Sequence, residues 1–325
     1  MRTFTLVATI IVFLASTAIV SQTYAQDWLP NTTKDPRWTI EFAGKAYDRP
    51  GDELGLPLIT DGITMESLFN SGQASELGTT VGAEVKFDFL TQRGREIEIR
   101  TIIADWDQDH EITGPNLRSP FFTVPGSEPT SVNYQYTSDY FSIEIMGRRA
   151  ISPGITCSCG PRFVSTKDQV KFAGSLTVDP GDGSPPIDFT QTQTTEATNA
   201  LIGLQAGLEI NVPISRDLYG NGFIRAGGYT NPTELTTTVS NTFAPVVSVT
   251  KDLKSTGSFL GEVGGRLYAD IVPNSMAIFV GYEATWIDGV AIAPAQLLPS
   301  EMTGVETANT PFFQAVTFGF NFTPR

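Results

Sequence analysis

Ten stretches of the chain alternate apolar and polar side chains with a period of two, the signature of strands with one greasy and one wet face. In WTIEFAGKAY, Trp38, Ile40 and Phe42 oppose Glu41 and Lys45; in TTVGAEVKFDF, Val81, Val85, Phe87 and Phe89 oppose Glu84, Lys86 and Asp88. REIEIRTII sets Ile97, Ile99 and Ile103 against Glu96, Glu98 and Arg100, and FSIEIMGR sets Phe141, Ile143 and Ile145 against Glu144 and Arg148. The fifth stretch, ITCSCGPRFVSTKDQVKF, is less regular, and Pro161 is expected to break it. LIGLQAGLEINV places Leu204 and Leu208 opposite Gln205 and Glu209, whereas GFIRAGGYT is ambiguous in its facing. SFLGEVGGRLYADIV turns Glu262, Arg266 and Asp270 to the polar side, and SMAIFVGYEATW does so with Glu283. The last stretch carries Val316, Phe318, Phe320 and Phe322 on one face and Thr317, Gly319 and Asn321 on the other.

The connections alternate as regularly as the strands. TQRG, RAISP, SRDLYGN and PNS are short, while the five intervening connections are expected to run to about twenty residues or more, beyond ordinary loop lengths. Short turns at one end and long loops at the other describe an all-β, up-and-down antiparallel transmembrane β-barrel of about ten strands, with periplasmic turns and extracellular loops. A secreted β-sandwich shares the alternation. Its polar face, however, would meet bulk solvent and carry many lysines, whereas here that face holds Gly, Ser, Thr and opposite charges.

Within the 325 residues, a secretory signal peptide is expected over 1–25 and the barrel domain over 26–325. Arg2 precedes an apolar run, no anchoring charge follows at Ser21, Gln22 or Thr23, and the small residues before Ala25 suit cleavage there. Removing that segment takes away one Arg and no acid, so the formal charge goes from −14 to −15. So acidic a chain argues against nucleic acid as partner. The partner expected from the apolar faces is outer-membrane lipid, because only helices and closed barrels satisfy every backbone group in a bilayer.

The signal peptide, the alternation and the aromatic last strand resemble bacterial outer-membrane proteins. In that family the last strand is the insertion signal, which implies the barrel-assembly machinery as partner, the cell outer membrane as location and a Gram-negative-type envelope. The family pattern ends on the aromatic, whereas Thr323, Pro324 and Arg325 follow Phe322 here. More locally, SIEIMGRR followed by GPRFVSTKDQVKF is similar to a hairpin of planctomycete β-barrel porin-like proteins.

The lumen-facing set expected from the alternation is Glu41, Lys45, Glu84, Lys86, Asp88, Glu96, Glu98, Arg100, Glu144, Arg148, Glu209, Glu262, Arg266, Asp270 and Glu283. It has an acidic excess and is expected to form a hydrated salt-bridge network passing cations if anything, since a ten-stranded barrel lies near the size that side chains fill. ADWDQDHEITG gathers Asp105, Asp107, Asp109, His110 and Glu111 where the third strand is expected to enter a loop. Its three Asp resemble the opening of a calcium loop, a candidate metal site, although His110 and Asn116 stand where Gly and Glu belong. Ten-stranded outer-membrane proteases also use Asp pairs and an Asp–His pair, drawn from separate loops. Cys157 and Cys159 share one strand face and are read as small apolar side chains. No cofactor motif and no catalytic residue is assigned. The expected function is a non-enzymatic, surface-exposed scaffold or narrow pore; the alternatives are a porin-like channel for small solutes or cations, and a rim hydrolase built on the acidic/His run.

Overall fold

The computed structural model describes residues 37–50, 57–90, 96–119, 129–178, 185–273, 275–297, 305 and 307–324. The expected signal peptide with its cleavage after Ala25, the turn TQRG and residues 179–184 of DPGDGSPP lie outside the described residues. In chain order the elements are β1 (Arg37–Arg49), β2 (Pro57–Asp61), β3 (Ser67–Asn70), α1 (Ser71–Ser75), β4 (Gly78–Leu90), β5 (Glu96–Thr113) and β6 (Leu117–Arg118). Then follow β7 (Ser131–Ser152), β8 (Ile155–Val178), β9 (Ile187–Pro213), β10 (Leu218–Asn241), β11 (Ala244–Val272), β12 (Met276–Asp288), a 3₁₀ turn (Pro294–Leu297) and β13 (Phe312–Phe322). Among the described residues no helix is long and apolar enough to cross a membrane.

Ten of these strands close into one antiparallel barrel, ordered β1-β4-β5-β7-β8-β9-β10-β11-β12-β13 and back to β1. Closure rests on β1, which pairs with β4 from Arg37↔Leu90 to Arg49↔Gly78 and with β13 from Ile40↔Phe322 to Asp48↔Gln314. Each expected strand is present, and the aromatic last stretch is the strand that shuts the sheet.

Two expectations about extent need correction. Pro161 does not break β8, because its pairing with β9 runs unbroken through Pro161↔Leu204. The irregularity falls instead on the β7 side, where the ladder reaches Glu144↔Arg162 and resumes at Gly147↔Cys159. The strands β5 to β11 also run far beyond their apolar alternation, so only residues 179–186 join β8 to β9 and residues 242–243 join β10 to β11. Those two connections are short because Thr-rich stretches such as FTQTQTTEATN and TELTTTVSN continue as strand: β-branched Thr suits the pleat even where neither face meets lipid.

The barrel therefore has a tall wall, β5 to β11, and a low wall, β12, β13, β1 and β4. Two long connections, 50–77 and 289–311, rise from the low wall, and their described parts fold into the mouth. Leu58, Ile59, Phe69, Ala74 and Leu77 from the first, and Val290, Ala291 and Ala293 from the second, join one buried cluster with Tyr134, Tyr136, Val164, Val170 and Phe172. Full burial of a side chain such as Ile59 or Phe69 stabilises by roughly 1.5–3 kcal/mol, enough to hold the segments inside. Local caps shape the first segment. Asn70 and Gln73 exchange side-chain-to-backbone hydrogen bonds of 3.0 Å across the start of α1. Asp61 Oδ1 accepts from the amides of Ile63 and Thr64 at 2.7 and 2.8 Å, which holds its carboxyl below the usual range.

Candidate functional site: the barrel interior

Pairing fixes which side chains face out. At the height of the low wall the outward residues are apolar on every strand: Ile97, Ile99 and Ile103 on β5, Ile202, Leu204 and Leu208 on β9, Ile278 and Val280 on β12, and Val316, Phe318 and Phe320 on β13, all exposed. Aromatic rings edge this belt. At the turn end Trp38 packs 6.1 Å from Phe87 and 6.0 Å from Phe322. Farther up, Trp286 lies over Gly261, where a Cβ would come within 2.1 Å of the indole. Water on such a surface would cost the fold what burial normally returns; hydrocarbon would not. The fold is that of a transmembrane β-barrel.

One substitution tests the facing directly. Leu204→Arg is expected to cost about 2–4 kcal/mol, the penalty for a cation near the bilayer midplane, and to shift folded protein to the unfolded band in heat-modifiable gel mobility. Gln205, one residue on, points inward and is buried; it accepts from Arg162 and Tyr229 at 3.2 Å each and donates to Glu144. Gln205→Ala should therefore leave insertion intact and lower only the unfolding midpoint.

Inside, at the height of the belt, seven carboxylates meet seven cations: Glu41, Glu84, Glu98, Glu144, Glu209, Glu262 and Glu283 with Lys45, Lys86, Arg100, Arg148, Arg162, Arg225 and Arg266. Lys45 bridges Glu84 at 2.6 Å and Glu283 at 2.5 Å, so it ties β1 to β4 and β12. Arg100 reaches Glu144 at 2.7 Å and Glu262 at 2.6 Å, across the barrel from β5 to β11. Arg162 donates to Ser142, Glu262 and Tyr140 at 2.9, 2.9 and 3.1 Å. Arg225 joins Glu98 and Glu209 at 2.9 and 3.1 Å and also bonds Glu144; Arg266 joins Glu84 at 2.7 Å and also bonds Glu41 and Glu283. The remaining expected residues, Asp88, Glu96 and Asp270, sit at the turn-end mouth and are only partly buried; Arg148 holds Asp88 at 3.3 Å and Glu96 at 2.7 Å.

Two cations of this set, Arg162 and Arg225, are absent from the expected list. Both were legible by parity: Phe163 and Ile224 face lipid, so their neighbours must face in. Pro161 and the glycines around Arg225 obscured the count. With them the acidic excess disappears from the centre and remains only at the mouth. Solvent is also scarcer than expected. The side chains of Arg100, Arg162, Lys45 and Glu262 are 0–2% exposed, so the network is packed side chain against side chain. Two cavities border it, each of about 10 Å³, room for a single water molecule.

Above the charges lies an aromatic layer in which Tyr47 and Trp106 are 5.6 Å apart, Trp106 and Phe313 5.7 Å, and Tyr140 and Phe313 5.8 Å. A second ion pair caps it: Arg49 holds Asp168 through two hydrogen bonds of 3.3 and 3.2 Å, while Ser138 and Tyr136 donate to the same carboxylate. Higher still, the segment after β12 is clamped by side chains of the wall. Asn199 both donates to Ala291 O at 2.7 Å and accepts from its amide at 3.0 Å, imitating a strand partner. Asn231, Ser258 and Thr256 all donate to Gly289 O, whose residue has φ +80 and sits where a Cβ would lie 2.7 Å from Gly257 O.

The acidic/His run is corrected in kind. ADWDQDHEIT is not a loop but the upper part of β5, so alternation separates its ingredients. Asp105, Asp107, Asp109 and Glu111 project from the outer face above the belt, whereas Trp106, Gln108 and His110 point inward. His110 stacks against Tyr134, meets Phe69 at a tilt with ring centroids 5.4 Å apart, and shares a 2.8 Å hydrogen bond with Gln108. Neither the calcium-loop geometry nor an Asp–His pair forms there, and among the described residues no three His, Cys, Asp or Glu side chains converge as a metal set. Cys157 and Cys159 face outward on β8 as free thiols.

No family model matches the chain, and no curated protein matches it in sequence. Among solved structures it is similar to the outer membrane protease OmpT from Escherichia coli, with 8% identity, TM-score 0.46, and 89% of this chain and 96% of that one covered. It is also similar to the translocator domain of autotransporter NalP from Neisseria meningitidis, with 10% identity, TM-score 0.37, and 96% and 98% covered. A Pseudomonas aeruginosa FadL homologue follows with 7% identity, TM-score 0.25, and 88% and 89% covered. At such values the likeness is one of barrel shape and bears on no activity.

Proposed function

We propose that the chain is an outer-membrane β-barrel whose interior is closed, and that it serves as a membrane-embedded scaffold presenting its tall wall and mouth segments outside the cell. The observation that carries this reading is the balanced, water-excluding ion network at the height of the lipid belt. Charges withdrawn from water are tolerable only when paired, and these are paired across the full width of the barrel. The aromatic layer and the clamped segment add two further closures above it. A porin-like channel would have to displace all three. The barrel orientation supports delivery by the signal peptide expected over 1–25: both ends of the barrel, Arg37 and Phe322, lie with the short turns, the periplasmic side in this reading. Insertion through the barrel-assembly machinery would use β13. The hairpin resembling planctomycete porin-like proteins corresponds to β7 and β8, and here its basic residues Arg148 and Arg162 serve the network.

Fractionation and liposome swelling test the proposal together. The protein should be recovered in outer-membrane fractions, and liposomes containing it should swell in small sugars no faster than protein-free ones. Swelling at a porin-like rate would overturn the closed reading, and recovery in the soluble fraction would overturn the membrane reading.

A further inference from the structure

The difference in height between the two walls leaves part of β5 without a neighbour. β4 pairs with β5 only from Leu90↔Glu96 up to Gly82↔Ala104, whereas β7 accompanies β5 as far as Thr113↔Ser131. Residues 105–113 therefore form a sheet edge above the low wall. Its lowest residue shows which backbone groups face the open side. The carbonyl of Asp105 turns towards β4, where it accepts from the Thr80 hydroxyl at 2.6 Å. In a strand the N–H and C=O of one residue point the same way, and those of the next point the other way. Asp107, Asp109 and Glu111 thus hold their backbone donors and acceptors out to the open side, and among the described residues no backbone group meets them there. The side chains of the same residues stand exposed on the outer face. They form an acidic row with Asp105, and Asp139 of β7 lies directly opposite Asp105. Asp107 receives only a 3.4 Å bond from Gln135, and the ion pairs of the outer wall lie elsewhere, at Lys167–Glu196 and Lys251–Glu234. Behind the edge the interior is already filled, with His110 against Phe69 and Tyr134.

We propose that the upper edge of β5 docks an extended basic peptide as an added strand, with alternate Lys or Arg side chains set against the acidic row. An uncovered edge is a template for another chain, which gains affinity from main-chain hydrogen bonds and specificity from every second side chain. The acids repel a second copy of the same edge, but they leave the backbone open to a strand of opposite charge. Both strands share the period of two, so alternate cations of the incoming peptide fall at the spacing of the acids. The upper edge of β11 is occupied in part, since Lys254 and Thr256 hold Val305 O and Gly289 O of the second mouth segment. The inference rests on the tall wall standing outside the membrane, as proposed above, and adds the class of partner which that wall takes.

The test uses the refolded full chain in an uncharged detergent, its folding checked by heat-modifiable mobility, and a fluorescently labelled peptide of alternating Lys and Thr. Anisotropy should report saturable binding. The combined Asp105→Asn, Asp107→Asn, Asp109→Asn and Glu111→Gln variant should weaken it at least tenfold. Asp109→Asn and Asp109→Pro remove the same charge, but the second also removes an edge N–H. That group faces away from β7, where proline is tolerated. Asp109→Pro should bind at least fivefold more weakly than Asp109→Asn. Equal affinities for the two would mean adhesion by charge alone and would overturn strand addition, as would a lack of saturable binding to the wild type. Should Asp109→Pro fail to refold, the peptide supplies the contrast. Of two versions N-methylated at all Lys or at all Thr amides, the one whose donors face β5 should lose at least tenfold, and a loss in neither would overturn the proposal. None of these outcomes depends on conductance or fractionation, so failure here leaves the scaffold reading intact, while failure of that reading shows in fractionation and liposome swelling.

Discussion

Deleting residues 310–325 is expected to abolish membrane insertion altogether. The deletion removes β13, and with it nine residue pairs to β1 and eleven to β12. Two strand edges would then lie open in hydrocarbon, where each unpaired amide or carbonyl costs several kcal/mol; the sum is on the order of tens of kcal/mol, more than any domain's net stability. The deletion also strips Phe313 from the aromatic layer and from its place beside the Arg49 guanidinium, 5.2 Å away. A shorter deletion separates closure from mere loss of mass. Removing only Thr323, Pro324 and Arg325 gives up the Thr323 amide bond to Ser275 and a hydroxyl contact with Thr39, and no strand pair. It should leave a barrel. Heat-modifiable gel mobility of the two truncations in membrane fractions reads the difference: a compact, heat-shifted band for the short deletion, and for the long one a periplasmic product degraded by added protease.

The second large effect is internal. Arg162→Ala should destabilise the folded barrel by about 3–5 kcal/mol, because it leaves the buried carboxylates of Glu262 and Glu144 short of a cation in a site water does not reach. Lys167→Ala, five residues along the same strand, removes a cation that also bridges a glutamate, Glu196 at 3.1 Å, but with both side chains a third or more exposed. That pair is worth at most about 1 kcal/mol. Urea unfolding of the two variants in lipid vesicles, followed by tryptophan fluorescence, should show a large loss for the first and almost none for the second. A double-mutant cycle of Arg162→Ala with Glu262→Gln should recover part of the loss, since the pair couples directly at 2.9 Å. Equal, small losses for both single variants would mean the interior is hydrated after all.

Much of this architecture was written in the alternation. The facing of β1, β4, β5, β7 and β13 follows from parity alone, because lipid on one side and an interior on the other leave an unambiguous period of two. What the sequence concealed lies where that contrast fades. Above the belt both faces of β9 and β10 are polar, and Thr, Gln and Asn there read as loop; only pairing shows them to be strand. The same extension carried Asp105 and His110 to opposite faces, undoing a cluster that existed in one dimension only. Arg162 was hidden behind Pro161, and Arg225 between Gly222 and Gly227, residues usually taken as strand breakers. The inward-folded segments gave no clear periodic signal, since Leu58 and Ile59 lie on the five-residue β2, Phe69 on the four-residue β3 and Val290 past the end of β12, elements too short to display a period, and caps such as Asn70 and clamps such as Asn199 hold them in place.

The closed interior is tested most directly by electrical recording. Refolded wild-type protein, confirmed as folded by its heat-shifted mobility, is inserted into a planar lipid bilayer in concentrated potassium chloride, and current is followed at steady voltages of both signs. The packed, charge-balanced network predicts a current indistinguishable from that of the bare bilayer. Stable, stepwise single-channel currents carried by the folded wild-type barrel would contradict it.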